Sequence, residues 1–427
     1  MSSFPIEFLQ AMPKTDLHLH LDGSLRLQTL IELAREAKVE LPAWDEAGLK
    51  EKVFKPSYRN LNEYLAGFAW TTAVMQTAPA LEQVAYELAM DNAAENVRYI
   101  EVRFAPQLHM NSHLNFQQVL EAVDLGLKRA RDEINARGVY SVSSSESSKD
   151  SESSKENNPD LLPPPFDYGI IVTAMRYFTS QFSEYFATLT KAHEHATEVE
   201  ILHYASLELA RATVHLRNTS DVRVVGFDLA GSEAGYPAAD HLAAFQHVHE
   251  HFLNKTVHAG EAYGPESIFQ AITKLHADRI GHGFHLFDKE RITDPAIVDP
   301  ARYVRNLLDY IANNRITIEV CLTSNLQTSP HIDKLSDHSI RKMIDNRLSV
   351  TLCTDNRLVS HTTVTNEFRL LTENFEVSPK ELKNIVIYGF KRSFFEGDYN
   401  EKRDYVRTVI NYYDKVAKKY GIDSTKE

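Results

Sequence analysis

Cysteine is almost missing from this chain: Cys321 and Cys353 are the only two in 427 residues. Two thiols cannot frame a disulfide-stapled fold, so a reducing compartment is the expectation. Both lie in apolar runs and read as small buried core residues. Basic excess is missing too. Lys and Arg number 46 against 59 Asp and Glu, for a formal net charge of −13. That balance argues against broad contact with a phosphate backbone and favours a small-molecule partner over nucleic acid. No apolar run approaches the roughly 18 residues that span a bilayer, so no membrane partner is expected. The opening residues, MSSFPIEFLQAMPKTD, lack the basic segment and apolar stretch of a signal peptide, which makes cytoplasmic the expected location.

What is present is an alternation. The short β-branched or apolar runs are TDLHLHL, YIEVRFAP, YGIIVTAMR, VRVVGFDLAG, KTVHAG, DRIGHG, ITIEVCLTSN and LSVTLCTDN. Longer stretches of helical period separate them. Strand then helix, repeated about eight times, predicts an α/β fold of the (β/α)₈ barrel type. A doubly wound open sheet would carry a Gly-rich phosphate loop after its first strand, and none is found. The whole chain, 1–427, reads as one barrel domain with extra helices. Two or three of these are expected between Leu49 and Val97, covering the barrel mouth, and two more between Pro379 and Tyr420, packing outside. Residues 141–158 read SVSSSESSKDSESSKENN, serine and charge with almost no apolar residue, and predict a disordered insertion in a surface loop.

The metal-ligating residue types fall in a pattern. His18 and His20 form an H-x-H pair on one face of the first run. His258 ends the fifth, His282 the sixth and Asp355 the eighth. Each lies at the C-terminal end of a strand, where barrel active sites gather. Imidazoles with one carboxylate make a mixed N/O set suited to Zn²⁺. Taken singly, each has a plainer explanation: a hydrogen-bonded strand histidine, a turn, or a helix cap for Asp355. All of those would have to coincide at one end of successive strands.

The segments MPKTDLHLHLDGSL, VVGFDLAGSE, VHAGE, RIGHGFH and VTLCTDN resemble the signature blocks of the adenosine deaminase family. They come in the family's order, from Met12 to Asn356. The resemblance implies one zinc held by His18, His20, His258 and Asp355. It implies that His282, outside the ligand set, orients the attacking water and accepts its proton, and that Glu261 faces the purine. His20 borders the substrate, Gly231 gives a backbone N–H to the base, and Asp22 binds the ribose hydroxyls. Asn356 stands where many members have Asp, approaching the far nitrogen of the five-membered ring. Ser232 likewise replaces a common acid.

The residue chemistry agrees with hydrolytic deamination of a nucleoside, adenosine and 2′-deoxyadenosine, to inosine-type product and ammonia. A bound cation makes water a nucleophile, and a neutral Glu261 protonates the ring nitrogen beside the target carbon. Glu261 as a helix N-terminal carboxylate and Asp22 or Ser24 as a helix N-cap are the structural alternatives. Other substrates within the reading are free adenine and a ribose-modified nucleoside such as aminodeoxyfutalosine. A two-metal barrel hydrolase needs a bridging carboxylate or modified lysine at the fourth strand, where GFDLAG has no lysine. Deaminases of nucleic-acid bases carry H-x-E and P-C-x-x-C, and neither is found. A non-catalytic binding protein would have lost ligands or the acid. Arg103 and Arg176 are expected to be structural, pairing inward with carboxylates.

Overall fold

The structure, a computed structural model, describes residues 4–143, 162–329 and 334–426. Each predicted run supplies one strand: β1 (Lys14–His20), β2 (Val97–Phe104), β3 (Asp167–Met175), β4 (Val224–Ala230), β5 (Asn254–Ala259), β6 (Arg279–His282), β7 (Thr317–Val320) and β8 (Ser349–Leu352). They pair in parallel and in chain order. Parallel strands are covered on both faces, which is why these segments are almost wholly buried. The ring closes between β8 and β1. There the His20 N–H donates to the Asp355 carbonyl and the Asp355 N–H to the His18 carbonyl, both at 2.8 Å. The seam therefore fastens three of the predicted ligands to one another through backbone.

The predicted seventh run was read too long. β7 stops at Val320, and Leu322–Thr328 is helical. Between Leu49 and Val97 lie the end of the helix Glu46–Lys52 and three whole helices, Leu61–Leu65, Phe68–Val74 and Ala78–Ala94, where two or three were expected. The YRNLNEYLAGFAW stretch breaks at Ala66–Gly67, glycine being a poor helix former. The last of the three starts on a Thr77 cap that accepts from the Ala80 N–H. Two C-terminal helices occur as expected. Pro379–Arg392 carries a Ser378/Glu381 capping box and lies over β8 and β1. Gly389 permits that approach, since a Cβ there would meet Thr15 Oγ1 at 2.1 Å. Tyr399–Lys419 then buries Val409, Tyr413 and Val416. The helix Phe116–Ser143 runs three residues into the predicted insertion, and 144–158 lie outside the described residues.

Charge fills the barrel interior. Arg103 donates to Asp228 (3.3 Å) and Glu319 (2.9 Å), and Arg279 donates to Glu319 (2.6 Å) and Glu101. All five are buried. The expectation that Arg103 pairs inward is met. Arg176 differs: its guanidinium donates to the carbonyls of Tyr236 (2.7 Å) and His258 (2.6 Å).

Candidate active site

Ligand-type atoms from His18, His258, His282 and Asp355 lie within 4.8 Å of one another at the C-terminal end of the barrel, all four residues buried. His20 adjoins them, its Nε2 3.1 Å from His258 Nε2 and 3.4 Å from Asp355 Oδ1. The structure thus brings together five donors where the family resemblance implies four ligands and one bystander.

Hydrogen bonds on the far ring nitrogens separate them. His18 Nδ1 donates to Glu319 Oε2 at 2.8 Å, and His258 Nδ1 donates to Asp228 Oδ1 at 3.2 Å. Each carboxylate fixes the tautomer that leaves Nε2 bare, the arrangement typical of metal-ligating histidines. The His18 Nε2 atom is buried without a hydrogen-bond partner, 3.4 Å from Asp355 Oδ1. A buried nitrogen lone pair beside a carboxylate is what a cation satisfies. His282 is held the opposite way. The Ile340 N–H donates to His338 Nδ1 (3.0 Å), so neutral His338 carries its proton on Nε2 and gives it to Asn325 Oδ1 (3.2 Å). Asn325 then presents its Nδ2–H to His282 Nδ1 at 3.0 Å, which leaves the His282 proton on Nε2. Burial pushes His282 down to about 4, so the ring is neutral.

Asp355 accepts from Ser324 Oγ at 2.6 Å. Burial alone would raise it, but the His18 imidazole, with those of His282 and His20, holds it well below the usual carboxylate range. It does not cap the next helix, a task Thr363 performs. His282 and Asp355 both sit at positive φ, 63° and 62°. Non-glycine residues there cost about 1–3 kcal/mol each, and such strain collects at functional sites.

Across from the cluster, Glu261 Oε1 lies 3.8 Å from His282 Nε2. Burial, with the charge of Asp355 adding to it, pushes the Glu261 carboxyl up to about 7. Its helix-terminus alternative falls away, because the following helix, Pro265–Lys274, begins after Gly264 and has Glu266 in its first turn. Asp22 is buried, its Oδ1 has no hydrogen-bond partner, and burial pushes it up to about 7. The helix Leu27–Ala37 has no side-chain cap, so neither Asp22 nor Ser24 fills that role. Ser24 Oγ instead accepts from the Arg357 N–H. Gly231 follows β4 at φ 98°, a conformation that favours glycine. Asn356 donates through Nδ2 to the Tyr64 hydroxyl (2.8 Å), while its Oδ1 is buried without a partner.

Sequence reading missed several supporting residues. Asp228 and Glu319 were visible as charges inside strand runs. Glu233 closes the VVGFDLAGSE block but was given no role, and Tyr64, Asn325 and His338 carried no local signal, because their partners are distant in sequence.

A (β/α)₈ barrel with buried imidazoles and a carboxylate at its C-terminal mouth, faced by a protonatable acid, defines the metal-dependent hydrolases of the deaminase and amidohydrolase type. Within that class the chain belongs to the adenosine deaminase family, whose model matches residues 13–158 and 177–412. It is 32% identical over 413 residues to an adenosine deaminase of Mycobacterium marinum, covering 96% of this chain and 98% of that one. It is 35% identical over 397 residues to adenosine deaminase 1 of Streptomyces coelicolor, covering 91% and 84%. The crystal structure of an adenine deaminase from Arthrobacter aurescens superposes with a TM-score of 0.69 at 20% identity, covering 93% of this chain and 98% of that one. Among the described residues no helix is long and apolar enough to cross a membrane.

Proposed function

We propose that this chain hydrolyses the exocyclic C–N bond of adenosine and 2′-deoxyadenosine, releasing ammonia, with Zn²⁺ as the resident metal. The observation that carries the reading is Glu261: a largely buried carboxylic acid pushed up to about 7, set opposite a cluster of histidines with bare Nε2 atoms.

His18, His20, His258 and Asp355 would hold the ion, and His282 stays outside because its Nε2 carries a proton. The donor set, three imidazoles and a carboxylate, suits Zn²⁺. Zn²⁺ held there supplies the Lewis acidity that makes water a nucleophile near neutral pH. Glu261 gives its carboxyl proton to the purine nitrogen next to the amino-bearing carbon, leaving that carbon open to attack. His282 orients the water by donating its Nε2–H to the oxygen. The further role that resemblance implies, accepting the water's proton, requires the Asn325 amide to turn over. As the C–O bond forms and the C–N bond breaks, one water proton leaves on ammonia and the other restores Glu261. Gly231 and Asn356 face the base, His20 borders the substrate, and Asp22, whose Oδ1 has no partner, takes the ribose hydroxyls. That orphan oxygen favours a nucleoside over free adenine.

The test is an ultraviolet assay of the purified protein on adenosine, 2′-deoxyadenosine, adenine and 5′-substituted adenosines, before and after chelation. Turnover of adenosine that chelator abolishes and Zn²⁺ restores supports the reading. Turnover of adenine alone would overturn it.

A further inference from the structure

Glu233 lies just past the end of β4 and is 1% exposed. Its Oε1 accepts from the Gly260 N–H at 3.0 Å and from Ser267 Oγ at 2.5 Å. Its Oε2 accepts from the N–H groups of Glu261 (3.0 Å), Ala262 (2.7 Å) and Tyr263 (3.0 Å). Four successive backbone donors thus converge on one carboxylate. Such a concave run of amides ordinarily gathers an external anion. Here the chain supplies the anion from another loop. Gly260, at φ 73°, makes the turn that aims the amides inward. Burial alone would raise Glu233, but the Arg176 guanidinium together with these hydrogen bonds holds the carboxyl below the usual range. Arg176 itself donates to the carbonyls of His258 and Tyr236, bridging the same two loops.

We infer that Glu233 is a positioning residue for the proton donor: it locks the backbone of residues 260–263 to the β4 loop and so fixes where the Glu261 carboxyl meets the base. Nothing else in the Glu261 segment is regular structure, since β5 ends at Ala259 and the next helix begins at Pro265. A glutamate hanging from an unanchored loop would wander by more than the ångström that costs about 100-fold in rate. The same grip couples Gly231, two residues before Glu233, to Glu261, so the base and the acid are registered to one another. A carboxylate is required. It offers about four lone-pair sites and no hydrogen, whereas a glutamine would point an NH₂ at amides that are themselves donors. This inference rests on the reading of Glu261 as the acid.

The experiment is Glu233→Gln in the full-length, zinc-loaded protein, with four readouts. The first is kcat on adenosine. The second is the binding of 1-deazaadenosine, which lacks the ring nitrogen that receives the proton. The third is zinc content, and the fourth is amide hydrogen exchange of residues 260–263. The expected result is a kcat loss of about 100-fold, with 1-deazaadenosine affinity within threefold, full zinc content and protection lost only at 260–263. A kcat within threefold of the parent overturns the inference. So does joint loss of zinc, inhibitor binding and activity, which marks a general structural role. If Glu233→Gln does not fold, Ser267→Ala removes one donor to the same carboxylate. It is expected to slow kcat about fivefold and raise exchange at 260–263, and no change in either overturns the inference. The parent protein separates the two claims: failure on adenosine with 260–263 still protected sinks the substrate reading alone.

Discussion

Glu261 at the mouth, its side chain 9% exposed, and Glu319, buried within β7, are glutamates of one barrel, and their surroundings drive them in opposite directions. Glu319 is clamped by Arg103 and Arg279 and accepts from His18 and Thr256. Burial alone would raise it, but those charges and hydrogen bonds hold it well below the ordinary value. Among the described residues no arginine forms an ion pair with Glu261, and burial pushes its carboxyl up to about 7. The contrast extends to whole regions. In the interior Glu101, Asp228 and Glu319 each accept from a buried arginine. At the mouth, unpartnered polar atoms gather on His18, Asp22 and Asn356, and two non-glycine residues hold left-handed backbone. The interior sets Arg103 and Arg279 against carboxylates, and the mouth leaves atoms without partners, as the proposed ion and substrate require.

The strongest way to break the contrast is to remove the mouth's proton. Glu261→Gln keeps the shape and zinc content but cannot deliver a proton, so kcat on adenosine is expected to fall by about 1000-fold. Steady-state kinetics with metal analysis checks this, and a loss under tenfold would take Glu261 out of the chemistry. The matching change in the interior acts on stability. Glu319→Gln leaves the buried Arg103 and Arg279 short of negative charge and is expected to cost about 3–5 kcal/mol in urea unfolding. It also unsettles the His18 tautomer, so zinc affinity should drop about 10–100-fold. A variant of unchanged stability would show that the network contributes nothing net.

A raised carboxyl is not by itself a mark of catalysis, and Glu367 sharpens the point. It is buried at about 7, accepting from Thr323 and Thr362 and tying the segments after β7 and β8. Its folded pKa lies above the ordinary carboxyl value of 4.5, so the folded state binds its proton more tightly than the unfolded chain does. The stabilisation from that proton is full below about 4.5 and is lost as pH rises through about 7. Glu367→Gln imitates the protonated form. The variant should match the parent near pH 5 and exceed it by about 2 kcal/mol at pH 8, with zinc content unchanged. Urea unfolding at the two pH values measures this, and a variant less stable at pH 8 would reverse the sign.

Much of the mouth was legible because barrel chemistry sits at strand ends. His18, His20, His258, His282 and Asp355 could be placed from strand periodicity alone, and all five converge. Roles were harder to read than positions. Whether His282 ligates or donates depends on Asn325 and His338, which lie far from it in sequence and become neighbours only when the helix and loop after β7 fold back. The over-long seventh run failed for a related reason: CLTSN is as apolar as a strand end, and only the closed ring shows that the chain has left the sheet. The interior network was half visible. Charges inside apolar runs announced buried pairs, but not which arginine meets which carboxylate.

Tyr64 gives the smallest expected effect and the finest division between the two regions. It comes from the short helix Leu61–Leu65, outside the barrel proper, yet it is 1% exposed. Its hydroxyl lies 2.8 Å from both Asn356 Nδ2 and Ser360 Oγ. An amide nitrogen has two hydrogens, so Asn356 can serve Tyr64 with one and the purine with the other. The tyrosine sets which way the second points. Tyr64→Phe keeps the buried ring and frees the amide, and losing one hydrogen bond of about 1 kcal/mol predicts a fall of about fivefold in kcat/KM for adenosine. 7-Deazaadenosine lacks the acceptor that Asn356 would address, so its binding should change less than twofold. An equal loss on both compounds would move the effect from Asn356 to Asp355, whose Oδ2 lies 3.5 Å from the same hydroxyl.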